Sequence, residues 1–388
     1  MIARVVSVTR KLSSHFKGPR LKTSSHVSLP TFRRSLSNFL EPLPQEELVT
    51  KFKSRLKGRQ FLPGSSGSDF PEFLREPTDS FPLGVAVQNP NGSSLSDLTA
   101  KCMEFAEETF SRSPAILFRG LPAKSAEDFS VIAGAIPYKT AAYGGIGHRS
   151  QVDKAAGTYT ASERPPNYTI ELHNELAYSE NFPSKVYLFC VKEPADGCGG
   201  ETPIMKNNDL QSRLDPDIIR KLDEKHIKYE RYMPSTRHRN YISWQDGFMT
   251  KDRKKVEDIA KQQGNDIHWD ENGDLYLSLI RPAFIPHPVT GEKYWFNLVT
   301  GHHNSCVDSM PTFNDTDILD GKWPYHSYYG DGSEIEPEVI QHIRAQSWAC
   351  AVGFKWKCGD LLVIDNVAAQ HGRIGFSGER KMLAYLTA

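Results

Sequence analysis

No two of the six cysteines (Cys102, Cys190, Cys198, Cys306, Cys350 and Cys358) form a CxxC pair. Their scatter argues against a zinc knuckle or a small disulfide framework and suits reduced, mostly buried thiols. No apolar run approaches the ~18 residues that a membrane-crossing helix needs, so no membrane partner is expected. No GxGxxG or GxxxxGK[ST] follows a strand-like run, which removes the dinucleotide-binding and P-loop readings. Net charge is lacking too: 47 Lys and Arg balance 47 Asp and Glu, and that balance speaks against a nucleic-acid or membrane-surface partner.

Acidic residues are missing from residues 1–40, which carry eight Lys or Arg and eight Ser and leave 39 basic against 47 acidic groups in the remainder. An Arg- and Ser-rich, acid-free arm without a continuous apolar core fits an organellar transit peptide better than a secretory signal. The run Phe32-Arg33-Arg34-Ser35-Leu36-Ser37 leans towards a mitochondrial destination over a plastid one. A disordered basic tail, or an arm for an acidic partner, is the other reading and would leave the protein cytoplasmic. Residues 41–80, polar and broken by Pro63-Gly64-Ser65-Ser66-Gly67-Ser68, read as a linker leading into the domain. The length, 388 residues, accommodates one large domain with insertions or two domains.

Ser94–Ser111 has apolar residues near helical spacing with Ser94 or Ser96 placed to cap it. Pro114–Gly120 reads as a short buried strand, and Ser125 opens a second helix. From about Tyr168 the texture becomes short β-rich runs between turn residues: Tyr168–Leu172, Lys185–Val191, Lys293–Val299, Asp360–Asp365 and Lys381–Thr387. Helical insertions are expected at Asp209–His226, Lys251–Gly264 and Pro337–Ala349. Many short strands point to a mainly β sandwich or barrel with helical insertions, and away from a doubly wound parallel sheet.

The chemistry-bearing segment is Glu171-Leu172-His173-Asn174-Glu175-Leu176. In extended backbone, residues i and i+2 project to one face, so His173 and Glu175 can reach one point. An imidazole nitrogen and a carboxylate oxygen suit Fe(II) and similar divalent ions. His371, between two apolar runs, is the best third ligand. Two His and one carboxylate on one face of an octahedron leave three adjacent positions open, as a bidentate 2-oxo acid plus dioxygen requires. Arg380 offers a planar fork for the distal carboxylate of such an acid, and Thr202 a hydroxyl for the same group. Taken singly, each has a blander reading: a solvated Glu beside a core His, a surface salt bridge, a turn residue after glycines.

The motifs add a resemblance. His173-Asn174-Glu175-Leu176-Ala177-Tyr178, Phe182-Pro183-Ser184-Lys185, Gly199-Gly200-Glu201-Thr202-Pro203-Ile204 and Tyr294-Trp295-Phe296-Asn297 occur in order, followed by Gly359–Asn366 and His371-Gly372-Arg373 with Arg380. Together with Ala115–Leu121 and Tyr143-Gly144-Gly145 upstream, they resemble the clavaminate synthase-like and taurine dioxygenase-like branch of the iron(II)/2-oxoglutarate oxygenases. The resemblance spans roughly residues 70–388. It implies a double-stranded β-helix (a distorted jelly roll) across 81–388, with His173, Glu175 and His371 as the facial triad. It also implies Arg380 and Thr202 as 2-oxoglutarate anchors, Arg373 steadying the co-substrate or a substrate carboxylate, and Trp295 and Asn297 near the site without a catalytic part. Glu175 stands where many members have Asp and where halogenases have Ala or Gly, which argues against halogenation. Ala384 stands where taurine dioxygenase-like members carry the arginine for the substrate sulfonate, which makes a sulfonate substrate doubtful.

The implied reaction consumes 2-oxoglutarate and dioxygen, releases succinate and carbon dioxide, and oxidises a C–H bond of a small molecule, with hydroxylation as the default and desaturation or ring closure as variants. Two other classes stay open: a metallohydrolase on the same His/Glu/His ligands, which leaves Arg380 and Thr202 unexplained, and a catalytically silent β-sandwich module. The substrate pocket is expected to draw on Tyr143–His148, Ser162–Pro166 and Tyr178.

Overall fold

The computed structural model describes residues 39–89, 91–141, 149–313 and 318–388. The basic arm, and the Tyr143–His148 stretch expected at the pocket, lie outside them. Among the described residues seventeen strands run, in chain order, β1 Leu40–Pro42, β2 Leu83–Val87, β3 Ala115–Arg119, β4 Gln151–Asp153, β5 Thr158–Thr160, β6 Ile170–His173, β7 Lys185–Lys192, β8 Ile204–Lys206 and β9 Ile227–Met233. They continue as β10 Asp266–Trp269, β11 Leu275–Arg281, β12 Phe284–Pro286, β13 Lys293–Trp295, β14 Tyr325–Tyr329, β15 Leu361–Asp365, β16 Ala369–Arg373 and β17 Lys381–Thr387.

Eight strands form the main sheet in the order β1-β2-β3-β15-β7-β17-β5-β4. All neighbours are antiparallel except β2 and β3. Its central members, Leu361-Leu362-Val363-Ile364-Asp365 and Val186-Tyr187-Leu188-Phe189-Cys190, are buried throughout. Such unbroken apolar runs form strands covered on both faces. A second sheet, β6-β16-β8, carries the sequence around His173 and His371. Ile204 and Ala369 from this sheet share one buried cluster with Leu188, Leu362 and Leu386 of the first. The fold is therefore β-rich, with the smaller sheet held against the larger by a common core.

Local rules place the helices. Ser94 caps Leu95–Thr109 by accepting from the Asp97 amide. Ser125 and Asp128 form a reciprocal capping box on Ala126–Ala135. Asp215 caps a helix that begins with Pro216, where the missing N–H costs nothing. The expected insertion at Asp209–His226 is two helices, Asn207–Gln211 and Pro216–Lys225; the other two helices are Arg253–Gln262 and Pro337–Cys350.

Two features differ from the sequence reading. Residues 41–80 have little regular structure, as their Pro, Gly and Ser content suggests, yet Leu48, Leu56, Leu62, Phe70 and Leu74 are buried. Four of these, all but Leu48, join the largest core cluster, so the segment is packed against the domain. Within residues 227–329 the sequence reading gives only the helical insertion at Lys251–Gly264 and the strand at Lys293–Val299. These residues also supply a four-stranded sheet, β10-β11-β9-β14, backed by Met233, Trp244, Phe248, Val256 and Leu277. Its central strand β9 mixes buried with half-buried residues and carries Lys228, Glu230 and Arg231, so it lacks the apolar density of the main-sheet strands. Among the described residues, no helix is long and apolar enough to cross a membrane. Cys102, Cys190, Cys306 and Cys350 are buried free thiols.

Candidate metal centre and adjoining cavity

His173 closes β6, and its Cα partner across the strand pair is His371 on β16. Cross-strand partners project to the same side of a sheet, and the two imidazole centroids lie 4.5 Å apart. Glu175 stands two residues on, just past the strand end, where the chain turns through Leu176 at φ 56°. Its Oε2 lies 4.0 Å from His173 Nε2 and 3.6 Å from His371 Nε2. One donor atom from each of the three residues falls within 4.8 Å of the others, a grouping that could hold a metal ion.

Buried side chains fix these donors. His173 Nδ1 donates to the Glu171 carbonyl at 2.8 Å, leaving the Nε2 lone pair for the centre. The Glu171 carboxylate is held in turn by Arg344 at 3.0 Å. Asn366 grips the Glu175 backbone from both sides: its Oδ1 accepts from the Glu175 amide at 2.7 Å and its Nδ2 donates to the Glu175 carbonyl at 3.0 Å. Asn174 donates to the Asn366 and Ala369 carbonyls and accepts from Gln370, tying β16 to the same turn. Burial and the neighbouring His371 push the His173 imidazole down to about 4, so it is neutral at pH 7. Burial alone would raise the Glu175 carboxyl; Arg149 and the two imidazoles overcome this and hold it well below the ordinary carboxylate range. Arg149 Nη2 lies 3.0 and 2.9 Å from the two carboxylate oxygens. Nothing in the sequence singled out Arg149.

A cavity of about 520 Å³ opens over this centre, lined by the triad and by Thr202, Arg373 and Arg380 among others. Arg380 precedes β17 and donates through Nε to the Gly200 carbonyl at 2.7 Å and through Nη2 to Thr202 Oγ1 at 3.1 Å. Thr202 Oγ1 also accepts from Trp356 Nε1 at 3.0 Å, so its own proton is free for a further acceptor. Gly199 and Gly200 sit at φ 79° and 84°; a Cβ on Gly199 would meet the Gly375 carbonyl oxygen at 2.2 Å. Glycine is therefore required for the approach that lets the Gly200 carbonyl orient Arg380. Burial and the nearby Arg373 bring the Arg380 guanidinium down to about 9. Among the described residues, no carboxylate forms a salt bridge with Arg380 or Arg373.

Arg373, expected to steady a bound acid, lines the cavity and is also engaged with backbone. Its terminal nitrogens donate to the carbonyls of Arg164, Pro165 and Tyr168 at 3.1, 2.5 and 2.9 Å, clamping the 164–168 loop. Of the expected pocket stretches, Ser162 to Pro165 and Tyr178 do line the cavity. Trp295 and Asn297 do not. Trp295 is packed in the largest core cluster, and Asn297 bonds to the backbone of Ala283 and Val299. Ala384 is buried in β17 opposite Leu188 and is absent from the lining. The remaining wall comes from the unanticipated sheet and its flanks: Arg231, Met233, Ile242, His302, Phe313 and Tyr325.

The sequence pattern of the family described as "Taurine catabolism dioxygenase TauD, TfdA family" matches residues 79–386. The chain belongs to this family. Among characterised relatives, it is 31% identical over 281 residues to the dapdiamide synthesis protein DdaC of Enterobacter agglomerans, covering 71% of this chain and 82% of that protein. It is 30% identical over 330 residues to a clavaminate synthase-like protein of Arabidopsis thaliana, covering 82% and 93%. Among solved structures, PvcB of Pseudomonas aeruginosa aligns over 87% of this chain and 94% of its own, with 15% identity and a TM-score of 0.45. As a TauD/TfdA family member, the chain is an oxygenase-type protein, and its three converging donors and two nearby guanidiniums have to be read in that light.

Proposed function

We propose that this TauD/TfdA family protein is an Fe(II)- and 2-oxoglutarate-dependent dioxygenase that oxidises, by default hydroxylates, a small molecule, on a double-stranded β-helix scaffold. The observation that carries the reading is the one-sided donor set: two imidazole Nε2 atoms and one carboxylate within 4.8 Å, with a cavity over the other side. The donors fit a divalent first-row metal. His173, Glu175 and His371 would hold the iron, while Arg380 and Thr202 would take the distal carboxylate of 2-oxoglutarate. Bound iron, 2-oxoglutarate and dioxygen supply oxidative decarboxylation of the keto acid to succinate and carbon dioxide, coupled to insertion of one oxygen into a substrate C–H bond.

The protein's own part is positioning. Asn366 and Asn174 fix the turn that presents Glu175, and the Glu171 carbonyl sets the His173 tautomer. Arg380, with two of its donors committed to Gly200 and Thr202, holds the remaining N–H groups towards the cavity. A metallohydrolase on the same donors would have no use for this guanidinium. The residue 1–40 arm belongs to the proposal as a mitochondrial leader.

Anaerobic addition of Fe(II) and 2-oxoglutarate to the folded protein is expected to produce a visible charge-transfer absorption, lost in His173→Ala. Absence of the band in the wild-type protein, or hydrolytic turnover independent of oxygen and 2-oxoglutarate, would overturn the proposal.

A further inference from the structure

The cavity contains more unneutralised positive charge than one dicarboxylate accounts for. Besides Arg380, Arg164 faces into it and is exposed there. Arg164 Nη1 has only weak partners, Met310 Sδ at 3.2 Å and the Tyr325 hydroxyl at 3.5 Å. The guanidinium lies near the rings of Tyr168 and Tyr325, with centroids at 5.8 and 5.9 Å, and among the described residues it forms no salt bridge. Its backbone is not free to wander. Arg373 spends its terminal nitrogens on the carbonyls of Arg164, Pro165 and Tyr168, so one buried arginine fixes the loop that presents another.

A guanidinium between two phenol rings has most of its N–H donors unspent and is weakly hydrated, a good seat for a planar anion. The rings supply apolar faces beside it, and His302 extends that wall, its ring 5.1 Å from Tyr325 and 4.9 Å from Tyr178. Resting on the oxygenase reading above, we infer that Arg164 is the specificity-determining seat for a carboxylate of the primary substrate. The rest of the substrate lies along the Tyr325–His302–Tyr178 wall towards the metal centre. Arg164 and Arg380 then take different anions, and Arg373 positions Arg164 through its backbone carbonyl.

The test uses two probes of equal shape, 3-phenylpropionate and 3-phenylpropionamide. Binding is followed by ligand-observed saturation-transfer NMR on the full chain with Zn(II) as a diamagnetic stand-in and saturating 2-oxoglutarate. The acid is expected to bind at least tenfold more tightly than the amide. Arg164→Gln should remove that preference, and Arg164→Lys should restore part of it. Equal binding of acid and amide, no binding of the acid at millimolar concentration, or a preference that survives in Arg164→Gln would each overturn the inference. Failure of the underlying oxygenase reading shows separately, as absence of the charge-transfer band with Fe(II) and 2-oxoglutarate in the wild-type protein.

Discussion

Replacing Arg380 by Met removes the charge and the fork while keeping most of the side-chain length. Two losses follow. In the free protein, the Gly200 carbonyl and Thr202 Oγ1 lose donors at 2.7 and 3.1 Å, which should lower stability by about 1–2 kcal/mol. In the complex, the ligand carboxylate enters a half-buried site without its charged partner, and that costs roughly 2–4 kcal/mol of binding free energy. At about 1.4 kcal/mol per tenfold, 2-oxoglutarate affinity should fall by a factor between about 30 and several hundred. Iron affinity should change by less than about threefold, because none of the three proposed ligands touches Arg380. Anaerobic titration of the charge-transfer band with 2-oxoglutarate measures the first quantity, and competition with a chelating dye the second. Arg380→Lys, which keeps the charge without the planar fork, should fall between. Parallel loss of iron and 2-oxoglutarate in a variant that still melts cooperatively would refute the assignment of Arg380 as anchor.

Other predictions concern how the site is held. Asn366→Ala breaks both hydrogen bonds to the Glu175 backbone; it should weaken metal binding at least tenfold and lower stability by about 2–4 kcal/mol, read by metal titration and urea denaturation. Asp360→Ala takes from the buried Arg119, whose Nε and Nη2 lie 2.8 and 2.6 Å from the Asp360 carboxylate, its close charged partner, leaving two backbone carbonyls and a Glu47 carboxylate oxygen at 3.9 Å. It should cost about 3–5 kcal/mol; a loss under 1 kcal/mol would show the pair to be dispensable. His302 is half-buried and held neutral, pushed well below its ordinary range by desolvation first and then by Arg231, Arg164 and His173. The unfolded chain gains that proton near pH 6.5 and the folded protein does so only far lower. Stability is therefore unaffected by this group above about pH 6.5 and falls as pH drops below it, by up to about 1.4 kcal/mol per unit. His302→Phe, which keeps a ring against Tyr178 and Tyr325, should flatten the fall in urea midpoint between pH 7 and 5. An unchanged slope would mean that the acid sensitivity arises elsewhere.

The elements that sequence made legible are those where one local rule dominates. Ser94 and Ser125 announced their helices through capping chemistry, and the unbroken apolar runs at Lys185 and Leu361 announced central strands. His173 and Glu175 were legible because two-residue spacing carries geometric meaning. His371 came from its setting between strands, a weaker cue that the cross-strand register with His173 supports. The β9–β11 sheet escaped because its strands are amphipathic, charged and interrupted by the helices Trp244–Phe248 and Arg253–Gln262, so helical spacing nearby dominated the pattern. Arg149 escaped for another reason, and Arg164 was reached only as one residue of the Ser162–Pro166 stretch, with no role attached. Each acts through tertiary neighbours, Glu175 for one and Tyr168 and Tyr325 for the other, and no local spacing encodes that. Trp295 shows the converse: a motif residue near functional ones in sequence can serve only to fill the core.

Because His173 and His371 are matched residues on adjacent hydrogen-bonded strands, the donor set exists in one alignment of β6 against β16 and in no other. A slip of a single position would turn one imidazole to the opposite surface. Loading with a divalent ion would therefore read out whether these two segments, nearly two hundred residues apart along the chain, have zipped together correctly. Molecules that closed with the wrong alignment would remain unable to acquire their metal, and so silent, instead of becoming loosely specific oxidants.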